Sequence, residues 1–203
     1  MSSIKKIIIA THNRKKAGEM TSILSQRFPD IEFWTLADVE GAPEPEETGS
    51  TYEENATIKV ESAFEFTGEW CIADDAGLEI DALDGAPGLY SKRFGGEDLP
   101  FPEKMAKILS LIRDSGTRSA RFRCLVAMRG PGHPTELFTG ICEGQIAEEP
   151  SGGGGFGYDP IFHLPELGVT MADLSPEEKH QISHRGKVLR LLGDRLEHLI
   201  RLS

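Results

Sequence analysis

The apolar positions of the chain change period as one moves along it, and the changes mark its elements. Ile7-Ile8-Ile9-Ala10 is a continuous apolar run that predicts a buried strand over residues 6–11. Ala17, Met20, Ile23, Leu24 and Phe28 then recur at helical spacing, so residues 14–28 read as an amphipathic helix. A second strand is predicted over 31–36. The acidic, proline-bearing stretch 38–49 reads as a loop, because Pro43 and Pro45 forbid helix throughout. Thr51-x-x-Glu54 resembles a capping box and opens a helix to about Phe66 whose stripe is Ala56, Val60, Ala63 and Phe64. Residues 70–74 and 78–83 read as two strands with Asp74 and Asp75 in the turn between them. Met105, Ile108, Leu109 and Ile112 predict a helix over 102–114, and 121–129 with 135–147 predict a hairpin around Gly130 to Pro134. Tyr158 to Phe162 looks strand-like. Ser175 followed by Pro176 opens a further helix, and after Gly186 the spacing of Val188, Leu189, Leu192, Leu196, Leu199 and Ile200 predicts a C-terminal amphipathic helix.

This mixture of strands and helices in 203 residues is consistent with a single α/β domain spanning 1–203. Hydrophobic content of 38% and charged content of 27% are those of an ordinary soluble protein, and no apolar run approaches the length of a membrane span. The N-terminal residues lack the features of a signal peptide, so a cytoplasmic location is expected. Cys71, Cys124 and Cys142 are odd in number and widely spaced, which points to free buried thiols and away from a disulfide framework or structural zinc. The net charge of −11 argues against nucleic-acid binding, so an anionic ligand must be captured locally.

Several stretches carry candidate chemistry. A strand turning tightly into a helix at Thr11, His12, Asn13, Arg14, Lys15 and Lys16 presents backbone N–H groups beside cationic side chains, a potential phosphate loop without the Walker A pattern; the bland alternative is a simple N-cap by Thr11 or Asn13. Asp74-Asp75, followed by Gly77, offers oxygen ligands for a divalent metal or a base for water, with a solvated turn as the alternative. The acidic Glu46-Glu47 pair and Lys59, four residues after Asn55 on one helix face, join this set. Residues 150–162 contain a glycine run ending in aromatics. Gly152, Gly154 and Gly157 formally match a dinucleotide fingerprint, but no helix is expected after them, so that reading is rejected. Glycines there permit close backbone approach, and Phe156 or Tyr158 could stack on a base. His180 and His184 are four apart but lack the Glu of a zinc motif; Lys179, His184 and Arg185 read instead as donors to an anionic or carbonyl-rich ligand. Acids on one side and anion donors on the other suit a magnesium-bound polyphosphate.

Seven segments in order resemble the inosine triphosphate pyrophosphatase family, the XTP/dITP diphosphatases: Ala10 to Asn13 with Lys16; Glu46 to Gly49; Glu54-Asn55-Ala56 with Lys59; Ile72 to Gly77; Gly85 to Gly88 with Tyr90-Ser91; Gly154 to Phe162; and Lys179 with Ile182 to Gly186. The resemblance implies a mixed twisted central sheet flanked by helices, two lobes with an active-site cleft between them, and a homodimer. It implies magnesium-dependent hydrolysis of ITP, dITP and XTP to the monophosphate and pyrophosphate, which cleanses the nucleotide pool. By this resemblance Asp75 is the general base and a magnesium contact, Glu47 is a metal ligand, and Lys59 acts with Asp75 while helping Thr11, Asn13 and Lys16 hold the triphosphate. Phe156, Gly157, Tyr158, Asp159, Lys179, His184 and Arg185 form the base pocket. His12 and Ala76 stand where the family often has Gly and Ser; Ala76 retains a backbone N–H for the substrate. Asp74 is a supporting acid. Two other readings use the same residues, a nucleotide sensor without turnover and a pyrophosphatase for other modified nucleotides.

Overall fold

The computed structural model describes residues 4–202. Its strands are β1 (Lys6–Ile9), β2 (Glu32–Thr35), β3 (Trp70–Ile80), β4 (Ser119–Gly130), β5 (His133–Ile146), β6 (Phe162–Leu164) and β7 (Val169–Thr170). Its helices are α1 (Arg14–Arg27), α2 (Tyr52–Thr67), α3 (Phe101–Leu111), α4 (Pro176–Ile182) and α5 (His184–Leu202). Among the described residues the strands form one mixed seven-stranded sheet in the order β2-β1-β3-β4-β5-β6-β7. The chain divides into two compact units. The first comprises the chain up to Asp75, Cys124–Gly140 and the chain from Arg185 onward; the second comprises Ala76–Arg123 and Ile141–His184.

In the first unit β1 pairs in parallel with both β2 and β3, placing Ile9 opposite Thr35 on one side and Ile72 on the other. Ile7, Ile8 and Ile9 are all buried, as expected of a strand covered on both faces. The chain leaves β1 for β2 through α1, then passes back across β1 to β3 through α2. Right-handed crossovers in opposite directions put α1 and α2 on opposite faces of the sheet and leave a topological switch point at the carboxyl ends of β1 and β3. Ligands in α/β sheets bind outside such points, so the connectivity alone directs attention to Thr11 and to Asp74. On the α1 face, Arg27 pairs with Glu197 at 2.7 Å and Asp194 at 2.6 Å, tying α1 to α5.

The second unit buries its own apolar cluster, including Leu78, Ile80, Met105, Ile108, Phe122, Ile146, Ile161 and Phe162. β5–β6 and β6–β7 are antiparallel pairs.

The caps explain several boundaries. Asn13 accepts hydrogen bonds from the N–H groups of Lys15 and Lys16 and starts α1. Ser175 and Glu178 form a full capping box on α4. At α2 only half of the predicted box forms: Thr51 accepts from the Glu54 N–H, but the Glu54 carboxylate takes the N–H and hydroxyl of Ser50, which together offer two donors.

Three predicted boundaries are corrected. Residues 70–80 are one strand rather than two around a turn, and the strand gives way to a 3-10 turn at Asp81–Leu83. Asp74 and Asp75 are buried in the middle of it, and it is their partners from neighbouring helices that keep them extended. Residues 159–161 form a 3-10 turn rather than part of a strand. Gly186 lies within the first turn of α5, which already begins at His184.

Gly68 caps α2 at φ 67° with nothing within 4 Å of an added Cβ, so a side chain there meets strain alone. Gly68→Ala is expected to lower stability by about 1–2 kcal/mol, the left-handed penalty of an L-residue, measured by urea unfolding.

Candidate active site

Neighbouring residues of a strand point to opposite faces, and Asp74 and Asp75 meet different partners accordingly. On the α1 side, Asp74 Oδ2 lies 3.3 Å from Lys16 Nζ and accepts from an Arg185 terminal nitrogen at 2.9 Å. The other terminal nitrogen of Arg185 reaches Glu19 at 2.7 Å. The Cys124 thiol points at the same Asp74 oxygen from β4, at 3.9 Å. On the α2 side, Asn55 Nδ2 donates to Asp75 Oδ2 at 3.1 Å. Lys59, one turn further along α2, donates to Glu47 at 2.8 Å and to the Asp74 carbonyl at 2.6 Å, with Asp75 Oδ1 at 3.9 Å. Glu47, Asp74, Asp75, Lys16, Lys59 and Arg185 are thus gathered in the first unit.

The Thr11 to Lys16 turn joins this group through the Lys16 side chain. Part of its backbone is engaged within the turn: the N–H groups of Lys15 and Lys16 donate to Asn13, and the Asn13 N–H donates to the Thr11 hydroxyl. His12, Arg14 and Lys15 are exposed.

The remaining expected residues belong to the second unit. Lys179 Nζ donates to Asp159 at 2.8 Å and stands 4.8 Å above the Phe156 ring. Asp159 also accepts from the Phe156 N–H at 2.8 Å, and a Cβ on Gly155 would collide with that carboxylate. Gly157 adopts φ 68°. Tyr158 is 3% exposed and its hydroxyl donates to the Ser91 carbonyl, so its ring is a packed wall rather than an open stacking platform; Phe156 is the half-buried ring. His184 stacks on Phe122 with centroids 4.8 Å apart. Ala76 is half-buried. Arg185 belongs to the first unit, where its guanidinium donates to Asp74 and Glu19.

A model of the Ham1 family matches residues 7–195. The chain belongs to the Ham1 family. It is 46% identical over 199 residues to the dITP/XTP pyrophosphatase of Geobacillus kaustophilus, covering 97% of each chain. Its identity to the dITP/XTP pyrophosphatase of Bacillus subtilis is 45%, covering 97% of this chain and 100% of the other. The solved Ham1 protein of Staphylococcus aureus matches with a TM-score of 0.87 at 42% identity over 96% of this chain and 99% of that one. A Ham1 protein from Coxiella burnetii gives 0.87 at 40% over 96% and 100%. Family membership agrees with the resemblance drawn from the seven segments.

In this Ham1 chain burial alone would raise both carboxyls, and the partners decide the outcome. Around Asp74, Lys16, Arg185 and Lys59 outweigh burial and hold the carboxyl well below the usual carboxylate range. Around Asp75, burial prevails over Lys59 and Lys16, Glu47 adds repulsion, and the carboxyl is raised. Lys59 is raised because Asp74, Asp75 and Glu47 together overcome its burial, so it stays charged. The Cys124 thiol is pushed up to about 12, first by burial and then by Asp74, which keeps it protonated.

Glu19, Asn55 and Cys124 were not among the expected site residues. Glu19 lies three residues after Lys16 on α1 and Asn55 four before Lys59 on α2, so helical spacing carried a signal for both. Nothing in the spacing marked Cys124.

The two acids should respond oppositely to loss of charge. Asp74→Asn leaves Arg185 and Lys16 without their shared counter-charge and is expected to cost about 3–5 kcal/mol near neutral pH. Because Asp74's folded pKa is depressed, its stabilisation is complete above about pH 4 and is lost as pH falls through the lowered value, so the gap to wild type should close on acidification. Asp75 is raised, so its ionised form costs stability as pH rises through the raised value. Asp75→Asn in metal-free buffer should therefore melt at or above wild type. Thermal melts across pH check both signs.

Proposed function

We propose that this chain hydrolyses non-canonical purine nucleoside triphosphates (dITP, XTP and ITP) to the monophosphate and pyrophosphate. The observation that carries this reading is full-length similarity to proteins named dITP/XTP pyrophosphatases, in a chain that keeps Glu47, Lys59, Asp74 and Asp75 at its switch point. Water attacks the α-phosphorus, the α–β bridging bond breaks, pyrophosphate leaves, and Asp75 accepts the proton of the water. A carboxylate raised by burial is suited to that role, worth roughly 10²–10⁴-fold in rate.

Magnesium fits the donor set. Glu47 and Asp75 are oxygen ligands with the Lys59 ammonium between them, a position that already tolerates positive charge. Magnesium commonly takes one or two carboxylates and completes its shell with substrate phosphates and water, so the two acids are enough for the protein's share of the shell. When bound, the ion neutralises charge on the phosphates. Thr11, Asn13, Lys16 and Lys59 hold the triphosphate, and for the Lys15 and Lys16 N–H groups to take part Asn13 must release them. Arg14, Lys15 and His12 supply nearby positive or polar groups, and Ala76 a backbone donor.

For the base, Phe156, Gly157, Asp159, Lys179 and His184 are the proposed readers, with Tyr158 fixing the wall behind them. A 6-keto purine offers an acceptor where adenine offers an amino group, so cationic donors disfavour adenine by leaving polar groups unpaired. Arg185 is proposed as a further cationic donor to a purine oxygen.

With magnesium, pyrophosphate release from dITP and XTP is expected to exceed that from dATP and dGTP by at least about 10²-fold in kcat/KM. Equal rates on all four would remove base selection, and tight binding without release would favour a sensor. We further propose a cytoplasmic homodimer; light scattering giving the monomer mass at micromolar concentration would exclude the dimer.

A further inference from the structure

Asn55 lies on α2 and is 3% exposed. Its carboxamide joins two segments: the Gly49 N–H donates to its Oδ1 at 2.8 Å, and its Nδ2 donates to Asp75 Oδ2 at 3.1 Å. This polarity admits one orientation, because a backbone N–H only donates and an ionised carboxylate only accepts. Gly49 follows Glu47 by two residues, so a single side chain spans from the proposed base to the loop carrying the other proposed cation ligand. The fit leaves no slack. A Cβ on Gly49 would stand 2.7 Å from Asn55 Oδ1 and 2.6 Å from Glu54 Cβ.

We propose that Asn55 is a positioning residue that divides the tasks of the Asp75 oxygens, holding Oδ2 so that Oδ1 is presented to the cation and the attacking water. The proposal rests on the reading of Asp75 as base and cation ligand. Asp75 Oδ1 is the oxygen on the side of Lys59, whose ammonium stands 3.9 Å from it and 2.8 Å from Glu47. The terminal torsion of an aspartate is broad and roughly two-fold, so the attraction of a non-directional charge such as the Lys59 ammonium does not by itself distinguish its two oxygens. A directional donor on one oxygen does distinguish them. A neutral amide does so without adding charge that would compete with a cation or with phosphates. By gripping Gly49 as well, it sets the distance between Asp75 and the Glu47 loop. Aspartate at this position would keep the volume and the Gly49 bond yet set one carboxylate against another.

The test compares Asn55→Ala, Asn55→Asp and Gly49→Ala with wild type. The readouts are kcat and KM on dITP with saturating magnesium, Mn²⁺ affinity by electron paramagnetic resonance without nucleotide, and the melting temperature. Outer partners of metal ligands typically carry 10–100-fold in affinity or activity, so Asn55→Ala and Gly49→Ala should lose about that much in kcat and in Mn²⁺ affinity, with KM moving less than kcat. Asn55→Asp should fall at least as far as Asn55→Ala. Wild-type Mn²⁺ affinity and kcat in Asn55→Asp would overturn the proposal, since volume and the Gly49 bond would then suffice. It would also fall if the loss in Asn55→Ala and Gly49→Ala followed the folded fraction alone. Should the wild type release no pyrophosphate from dITP or XTP, the functional reading fails by itself, and the Mn²⁺ comparison still decides for or against Asn55.

Discussion

Asp74 is an ionised carboxylate withdrawn from water in the interior of a strand, a placement that costs several kcal/mol unless opposite charge comes with it. Lys16 from α1 and Arg185 from the start of α5 bring that charge, and Arg185 in turn requires Glu19. Segments separated by up to 166 positions are thereby drawn to one point. The Lys59 ammonium adds a bond to the Asp74 carbonyl, so the backbone at the same residue is gripped from the α2 face. The first turn of α1, the start of α5 and the middle of α2 all take their place from this residue.

The alternation of side chains along β3 then does something that charge alone does not. Two acids adjacent in sequence are sent to opposite faces, one into a cationic cluster and the other toward the neutral amide of Asn55 and the Lys59 ammonium. The first is locked in its charged form; the second keeps a raised affinity for protons. One strand therefore separates a structural carboxylate from a chemical one within a single residue step, and the opposite winding of α1 and α2 supplies each face with its own partners.

Much of this was legible in the chain itself. The Asn13, Thr51 and Ser175 caps, the run of β1, the hairpin about Gly130 to Pro134 and the Asn55/Lys59 pair are local patterns with local causes, although β5 already begins at His133. The continuity of β3 was not legible, because Asp-Asp-Ala-Gly has the composition of a turn and is held extended by partners from three helices. The bond between Glu19 and Arg185 obeys no spacing rule. Tyr158 had the look of an exposed stacking ring until its hydroxyl was found on the Ser91 carbonyl. Where burial and long-range charge set the conformation, local propensity had nothing to say.

The two tryptophans of the chain, Trp34 and Trp70, both belong to the first unit. Trp34 is partly exposed beneath the Lys6 ammonium, while Trp70 packs against His133 and against Gly130, where any side chain would strike the indole. Indole emission consequently comes from the first unit alone. Far-ultraviolet ellipticity reports on both units, so a gap between the fluorescence and ellipticity curves would mean that the chain does not unfold in a single two-state step.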